Sequence, residues 1–143
     1  MSNYQIYTDG SCRANSNGGI GIVWLKDGKK VFEYSKGFKE VTNNRMELLA
    51  IGYALLSIKK PINSLEIISD SEYAIGVLTK PWKPKKNIEL IARIKKQIEK
   101  TQKLVKEPIK FRHTRGHQKG DTIDTIYNNL CDKLATNESS MIL

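Results

Sequence analysis

Four acidic residues stand in short, distinctive contexts along this chain. They are Asp9 in Ile6-Tyr7-Thr8-Asp9-Gly10-Ser11, Glu47 in Thr42-Asn43-Asn44-Arg45-Met46-Glu47-Leu48, Asp70 in Ile67-Ile68-Ser69-Asp70-Ser71, and Asp132 in Asn128-Asn129-Leu130-Cys131-Asp132-Lys133-Leu134-Ala135. Taken alone, an Asp-Gly pair is most often the start of a turn. Four carboxylates brought to one cleft are a different matter, because like charges in close contact raise one another's pKa strongly. Divalent cations relieve that repulsion, and Mg²⁺ prefers oxygen ligands while keeping several waters. Two such ions about 3.5–4 Å apart are the usual device for in-line phosphodiester cleavage. The chemistry to look for is therefore metal-assisted phosphodiester hydrolysis.

The elements must carry these acids to one place. Ile6 and Tyr7 read as the end of a strand over 4–10, with Gly10-Ser11 as the turn that follows. Strong turn signals at 15–19 precede a second strand over 21–25. Asp27-Gly28 predicts a hairpin into a third strand over 30–38. Leu48, Leu49, Ile51, Leu55, Leu56 and Ile58 give the apolar face of a helix over 43–58, capped by Thr42 or Asn43. A buried strand follows at 64–69. A short helix over 71–78 is stopped by Pro81. A proline-stiffened basic loop leads to a third helix over 87–104, with Ile88, Ile91, Ile94 and Ile98 on one face. Arg93, Lys96, Lys100 and Lys103 recur at helical spacing on another face. A last strand over 109–113, a polar loop over 114–124, a helix over 125–137 and a mobile tail over 138–143 complete the chain. The order βββαβααβα predicts an α/β fold: a five-stranded mixed sheet, antiparallel first and parallel later, with helices on both faces. If the first and fourth strands are adjacent and parallel, Asp9 and Asp70 lie side by side at one sheet edge, the place where open α/β sheets hold their chemistry.

The chain has 143 residues, which suits one domain. A membrane span of roughly 20 apolar residues is absent from the sequence. The N-terminus has no basic-then-apolar leader. Cys12 and Cys131 are the only cysteines and have no zinc-site spacing, which suits free thiols and a cytoplasmic chain. The net charge of +9 is unevenly spread. Residues 80–119 hold 14 Lys and Arg against Glu89, Glu99 and Glu107, a balance of +11, so the remainder carries −2. Such a block points to a polyanionic partner, most often nucleic acid, against the plainer reading of a solubilising lysine face.

The four acidic contexts, together with Tyr7-Thr8-Asp9-Gly10-Ser11-Cys12, Ser69-Asp70-Ser71-Glu72-Tyr73 and Gly116-His117, occur in an order that resembles type 1 ribonuclease H over nearly the whole chain. The resemblance implies a ribonuclease H-like fold and an endonuclease that hydrolyses the RNA strand of RNA/DNA hybrids, leaving 5′-phosphate and 3′-hydroxyl ends. It implies that Asp9, Glu47, Asp70 and Asp132 hold two Mg²⁺ or Mn²⁺ ions. His117 is implied to assist proton transfer or product release, which a histidine can do near neutral pH, while His113 reads as structural. Cys12, Asn15, Asn43 and Asn44 match positions that line the hybrid's minor groove, where the 2′-hydroxyl distinguishes RNA from DNA. Tyr73 matches a position against a deoxyribose, and Thr42 and Asn87 match positions that grip a DNA phosphate. An autonomous monomer with no obligatory protein partner is implied.

Departures from the family pattern are equally visible. Larger members carry an extra basic helix where this chain has only Thr79-Lys80-Pro81-Trp82-Lys83-Pro84-Lys85-Lys86. Lys83, Lys85 and Lys86 are the expected substitutes for it. An Arg used by some members beside the DNA phosphate is missing, Lys39 and Glu40 being nearest, and the segment between His117 and Asp132 is longer than usual. Rival readings are a resolvase or exonuclease-like nuclease of the same fold, a catalytically silent nucleic-acid-binding module, and a domain cut from a larger polymerase. The Asn43-Asn44-Arg45 stretch argues against the first, and the presence of all four acids against the second.

Overall fold

The computed structural model describes residues 1–13, 17–115 and 120–141. Its elements run β1 (Asn3–Cys12), β2 (Gly18–Lys26), β3 (Lys29–Phe38), α1 (Asn43–Leu56), β4 (Ser64–Ser69), α2 (Glu72–Thr79), α3 (Ile88–Gln102), β5 (Lys110–His113) and α4 (Ile123–Met141). The five strands form one sheet in the order β3-β2-β1-β4-β5. The β1–β2 and β2–β3 pairs are antiparallel, and β1–β4 and β4–β5 are parallel. The expected element order and mixed sheet are therefore present.

Alternation along the strands builds two apolar layers. Ile6, Ile22, Trp24 and Ile67 join Met46, Leu48, Ile51 and Leu55 of α1, with Ile91 and Ile94 of α3, on one face. Tyr7, Val23, Leu25 and Ile68 meet Cys131 of α4 on the other. Helix α1 packs against the sheet and is itself flanked by α3. That explains why apolar residues surround so much of its circumference.

Three local expectations are corrected. Gly10 and Ser11 are not a turn: β1 continues to Cys12, paired with β2 through Cys12 and Gly18. Asp9 consequently lies inside the strand rather than at its end. The final helix begins two residues earlier than expected and runs through Met141. Its last turns are held by tertiary contacts: Glu138 accepts a hydrogen bond from Ser35 Oγ at 2.7 Å, and Ser139 is buried. A polar, unpatterned C-terminal sequence cannot announce such contacts. Asn87, expected as the first residue of the third helix, instead precedes α3 in a left-handed conformation, with φ 57°.

Candidate active site

The parallel pairing of β1 with β4 ends at Thr8 and Ser69. The next residue on each strand is an acid, Asp9 and Asp70, so two carboxylates arise where the two backbones part. Ser69 and Ser71 shape that exit. Ser69 Oγ accepts from the Ser71 N–H, and Ser71 Oγ caps α2 by accepting from the Ala74 N–H, each at 3.0 Å. Glu47 comes from one turn into α1, whose start is capped by Thr42 Oγ on the Arg45 N–H at 3.3 Å. The strand and helix approach so closely that a Cβ on Gly10 would lie 2.3 Å from the Met46 carbonyl carbon. Only glycine fits, and its N–H donates to Glu47 Oε1 and to Asp9 Oδ1.

One carboxylate oxygen from each of Asp9, Glu47 and Asp70 lies within 4.8 Å of the others. Asp9 is buried, and Glu47 and Asp70 are half-buried. Burial and the nearby Asp70 charge push the Asp9 pKa up to about 8, with Asp132 adding to the effect. Burial, followed by the Asp9 and Asp70 charges, also drives Glu47 well above the ordinary carboxylate range. Asp70 Oδ1 is buried and has no hydrogen-bond partner. A buried acceptor without a partner, in a cleft where crowded carboxylates raise one another's pKa, suits a hard cation. The oxygen-only donor set fits Mg²⁺ or a similar ion.

Asp132 stands apart from this trio. It is half-buried on α4, near enough for its charge to act on Asp9, but it is not one of the three acids whose oxygens cluster. Helix α4 is seated against the sheet at Gly21, where a Cβ would meet the Cys131 carbonyl oxygen at 2.2 Å. Cys131 Sγ lies 3.2 Å from the Tyr7 carbonyl oxygen. At the helix start, Arg112 of β5 donates to Asp124 at 2.5 and 3.1 Å and to Glu66 at 3.3 Å, and the Tyr7 hydroxyl donates to Asp124. Asn128 Nδ2 donates to the Arg115 carbonyl at 3.1 Å. These ties fasten the first turns of α4 to β5 and the residues just after it. Sequence reading overlooked Arg112 and Asp124; their opposite charges at the two flanks of a long polar segment were the available signal.

The chain's sequence matches the ribonuclease H family over residues 1–140. The chain belongs to that family. A ribonuclease H of Clostridium botulinum is 40% identical, covering 94% of each chain, and one of Chlorobium phaeovibrioides is 36% identical, covering 91% of this chain and 90% of that one. Among solved structures, ribonuclease H1 isolated from compost (LC11) superposes with TM-score 0.79 at 26% identity over 98% of this chain and 97% of its own. That of Halobacterium salinarum shares the fold, with TM-score 0.73 at 21% identity over 98% and 99%. Ribonucleases H are metal-dependent hydrolases, in keeping with the acidic cluster.

Other positions singled out by the ribonuclease H resemblance divide into groups. Asn44, Tyr73, Lys83, Lys85 and Lys86 line one cavity of about 280 Å³ with Trp82 and Val77. The Trp82 ring lies over Gly76 of α2, so it lids that helix, and Lys80 Nζ stands 5.1 Å from the ring centre. Thr42 and Asn43 are exposed at the start of α1. Cys12 Sγ lies 3.1 Å from the Val41 carbonyl oxygen, beside the same helix start. Asn87 lies next to Lys86, whose carbonyl is 3.5 Å from the Tyr73 hydroxyl. Asn15 and His117 fall outside the described residues. His113 Nε2 is 3.2 Å from the Asp70 carbonyl, a contact that suits a supporting role. Among the described residues, no helix is long and apolar enough to cross a membrane.

Proposed function

We propose that this ribonuclease H cuts the RNA strand of RNA/DNA hybrids, leaving 5′-phosphate and 3′-hydroxyl ends, with Asp9, Glu47, Asp70 and Asp132 as ligands of two divalent cations, Mg²⁺ by preference and Mn²⁺ as substitute. The observation that carries the reading is the convergence of Asp9, Glu47 and Asp70, with the orphaned Asp70 Oδ1 among them. When bound, the cations generate a nucleophile from water at neutral pH and stabilise the departing 3′ oxygen. The protein's own part is placement. Asp9 is fixed in the sheet opposite Gly21, Asp70 directly follows the last paired residue of β4, and Glu47 is held by the Gly10 N–H. Such pre-set charges require no reorganisation as the reaction proceeds. Asp132 completes the ligand set from α4. His117 passes a proton or aids product release.

Substrate choice follows from the surface beside the acids. Asn43 and Asn44, with Cys12 and Asn15, face the minor groove and its 2′-hydroxyls. Tyr73 meets a deoxyribose, and Thr42, Asn87 and the lysines at 83, 85 and 86 meet phosphates of the DNA strand. The enzyme works as a monomer in the cytoplasm, without an obligatory protein partner. Labelled RNA/DNA hybrid, duplex RNA and duplex DNA, each with Mg²⁺, Mn²⁺ or EDTA, test the reading. Cleavage is expected only of the hybrid's RNA strand and only with metal, and Asp9→Asn and Asp70→Asn should each abolish it with the fold intact. Robust Mg²⁺-dependent cleavage by Asp9→Asn would refute the ligand set. Equal cutting of duplex DNA would favour a resolvase. His117→Ala should slow turnover without eliminating it.

A further inference from the structure

The outward face of α3 is a second charged surface that the cleft does not use. Arg93, Lys96, Lys100 and Lys103 are all exposed, and they succeed one another at intervals of three or four residues. The opposite side of the helix carries the buried Ile91, Ile94 and Thr101 that pack towards α1. At 1.5 Å per residue, the row is roughly 15 Å long, about the rise of four to five base pairs.

Two features separate this row from an ordinary solvated helix face. The first is its lack of neutralisation. Glu89 pairs with Arg93 at 3.0 Å, but among the described residues Lys96, Lys100 and Lys103 form no ion pair within 4 Å. The second is its position. At the head of the row, Arg93, Glu89 and Leu90 line a cavity of about 120 Å³ together with the exposed Arg45 of α1. The basic loop carrying Lys83, Lys85 and Lys86 runs directly into the same end of α3. Positive charge therefore continues from that loop, which shares a cavity with Asn44 and Tyr73, along the helix, in a chain whose residues outside 80–119 carry net negative charge. A continuous cationic track of this kind attracts a polyanion and releases its condensed counterions.

We infer that the Lys96–Lys100–Lys103 row binds the phosphate backbone of the hybrid's flank, beyond the base pairs held over the four acids. The row gives this enzyme an extended electrostatic footprint in place of an added basic helix. The inference rests on the hybrid-binding reading above and adds a length dependence to it. The stripe contributes nothing to a hybrid too short to reach it and strengthens the hold on a long one.

The test is binding, read by fluorescence anisotropy in EDTA so that no strand is cut, with hybrids of about 8 and about 24 base pairs, the longer exceeding the row's span several-fold. Lys96→Gln/Lys100→Gln/Lys103→Gln changes only exposed side chains and should leave the melting temperature unmoved. It should weaken the long hybrid about tenfold or more and leave the short one within about twofold. The slope of log affinity against log salt for the long hybrid should fall by roughly two to three, near 0.9 for each phosphate no longer neutralised. Lys26→Gln/Lys29→Gln/Lys30→Gln removes the same charge from the β2–β3 hairpin at the far end of the sheet, and it should have little effect. Equal losses for both lengths, an unchanged salt slope, or equal losses in the hairpin variant would overturn the inference. A wild-type chain that binds long hybrid through the stripe but never cuts it would uphold this inference and defeat the proposed function instead.

Discussion

Asp9 is the residue at which structure and chemistry are most tightly joined. Its pKa rises from 3.8 to about 8 through burial and the neighbouring Asp70 charge. The folded, metal-free protein thus binds a proton more tightly than the unfolded chain does. The stability contributed by that proton is fully present below about pH 4 and is lost as pH rises through about 8. Thermal unfolding in EDTA should show a melting temperature that falls across this window. Asp9→Asn should flatten the fall, and saturating Mg²⁺ should reverse it, because a cation then takes over the neutralisation. A metal-free melting temperature that rose between pH 5 and pH 8 would contradict the assignment. Gly10 is the other decisive residue. An added Cβ must displace the backbone of α1 at Met46 and Glu47. A misplacement of about 1 Å can cost on the order of 10²-fold in rate. Gly10→Ala should therefore cut kcat by about that factor, with hybrid binding nearly retained, as single-turnover and binding measurements together would reveal.

At the scale of elements, the placement of α4 is what distinguishes this site. Three acids sit on β1, just past the end of β4, and on α1, elements which pack against one another directly, whereas Asp132 rides on a helix lying across the opposite face of the sheet. Its position depends on how α4 is docked. Arg112 and Asp124 fasten the start of that helix to β5, with Tyr7 and Glu66 as further partners. The Arg112 guanidinium holds the Asp124 carboxyl below its usual pKa. That contribution is present at neutral pH and is lost as pH falls below the ordinary carboxylate range through the lower folded value. The pair is about one-third exposed, so solvent screening keeps its direct energetic worth small. Its effect should show instead in metal binding. Asp124→Asn is expected to raise the Mg²⁺ concentration needed for half-maximal activity several-fold and to weaken Mn²⁺ binding in titration calorimetry, with little change in hybrid affinity. Unaltered metal affinity in Asp124→Asn would show that α4 is placed without the clasp.

For the whole molecule, the governing quantity is charge distribution. Cations stand close to the acidic cleft: in the basic loop, Lys83, Lys85 and Lys86 share a cavity with Asn44 and Tyr73. Pro81 and Pro84 stiffen that loop, so it loses less entropy on docking than a flexible one would. Lys83→Ala/Lys85→Ala/Lys86→Ala should raise KM while leaving kcat nearly constant, and should lower the salt slope of binding by roughly one for each phosphate that the loop ceases to neutralise. An unchanged slope would mean that the loop faces solvent and that groove contacts alone hold the substrate.

The amino-acid sequence by itself determined the element order, the mixed sheet and the identity of the acids, because these depend on local pattern and on short motifs. Strand alternation around Ile6-Tyr7 and Ile67-Ile68, the Asp27-Gly28 turn and the Thr42 cap are all written within a few residues of where they act. Only the tertiary structure decided that Gly10 admits a helix rather than making a turn. The partner that demands the missing Cβ lies 36 residues away at Met46. Only it decided that Glu138 and Ser139 belong to α4, since Glu138 bonds Ser35 of β3 and both residues pack closely over Gly19 of β2. The Arg112–Asp124–Tyr7 clasp joins residues as far as 117 positions apart, and no local periodicity encodes such a pairing. The same holds for the three-against-one arrangement of the acids: short motifs and the family resemblance they carry name all four, but the docking of α1 and α4 on opposite faces sets how closely each approaches the others.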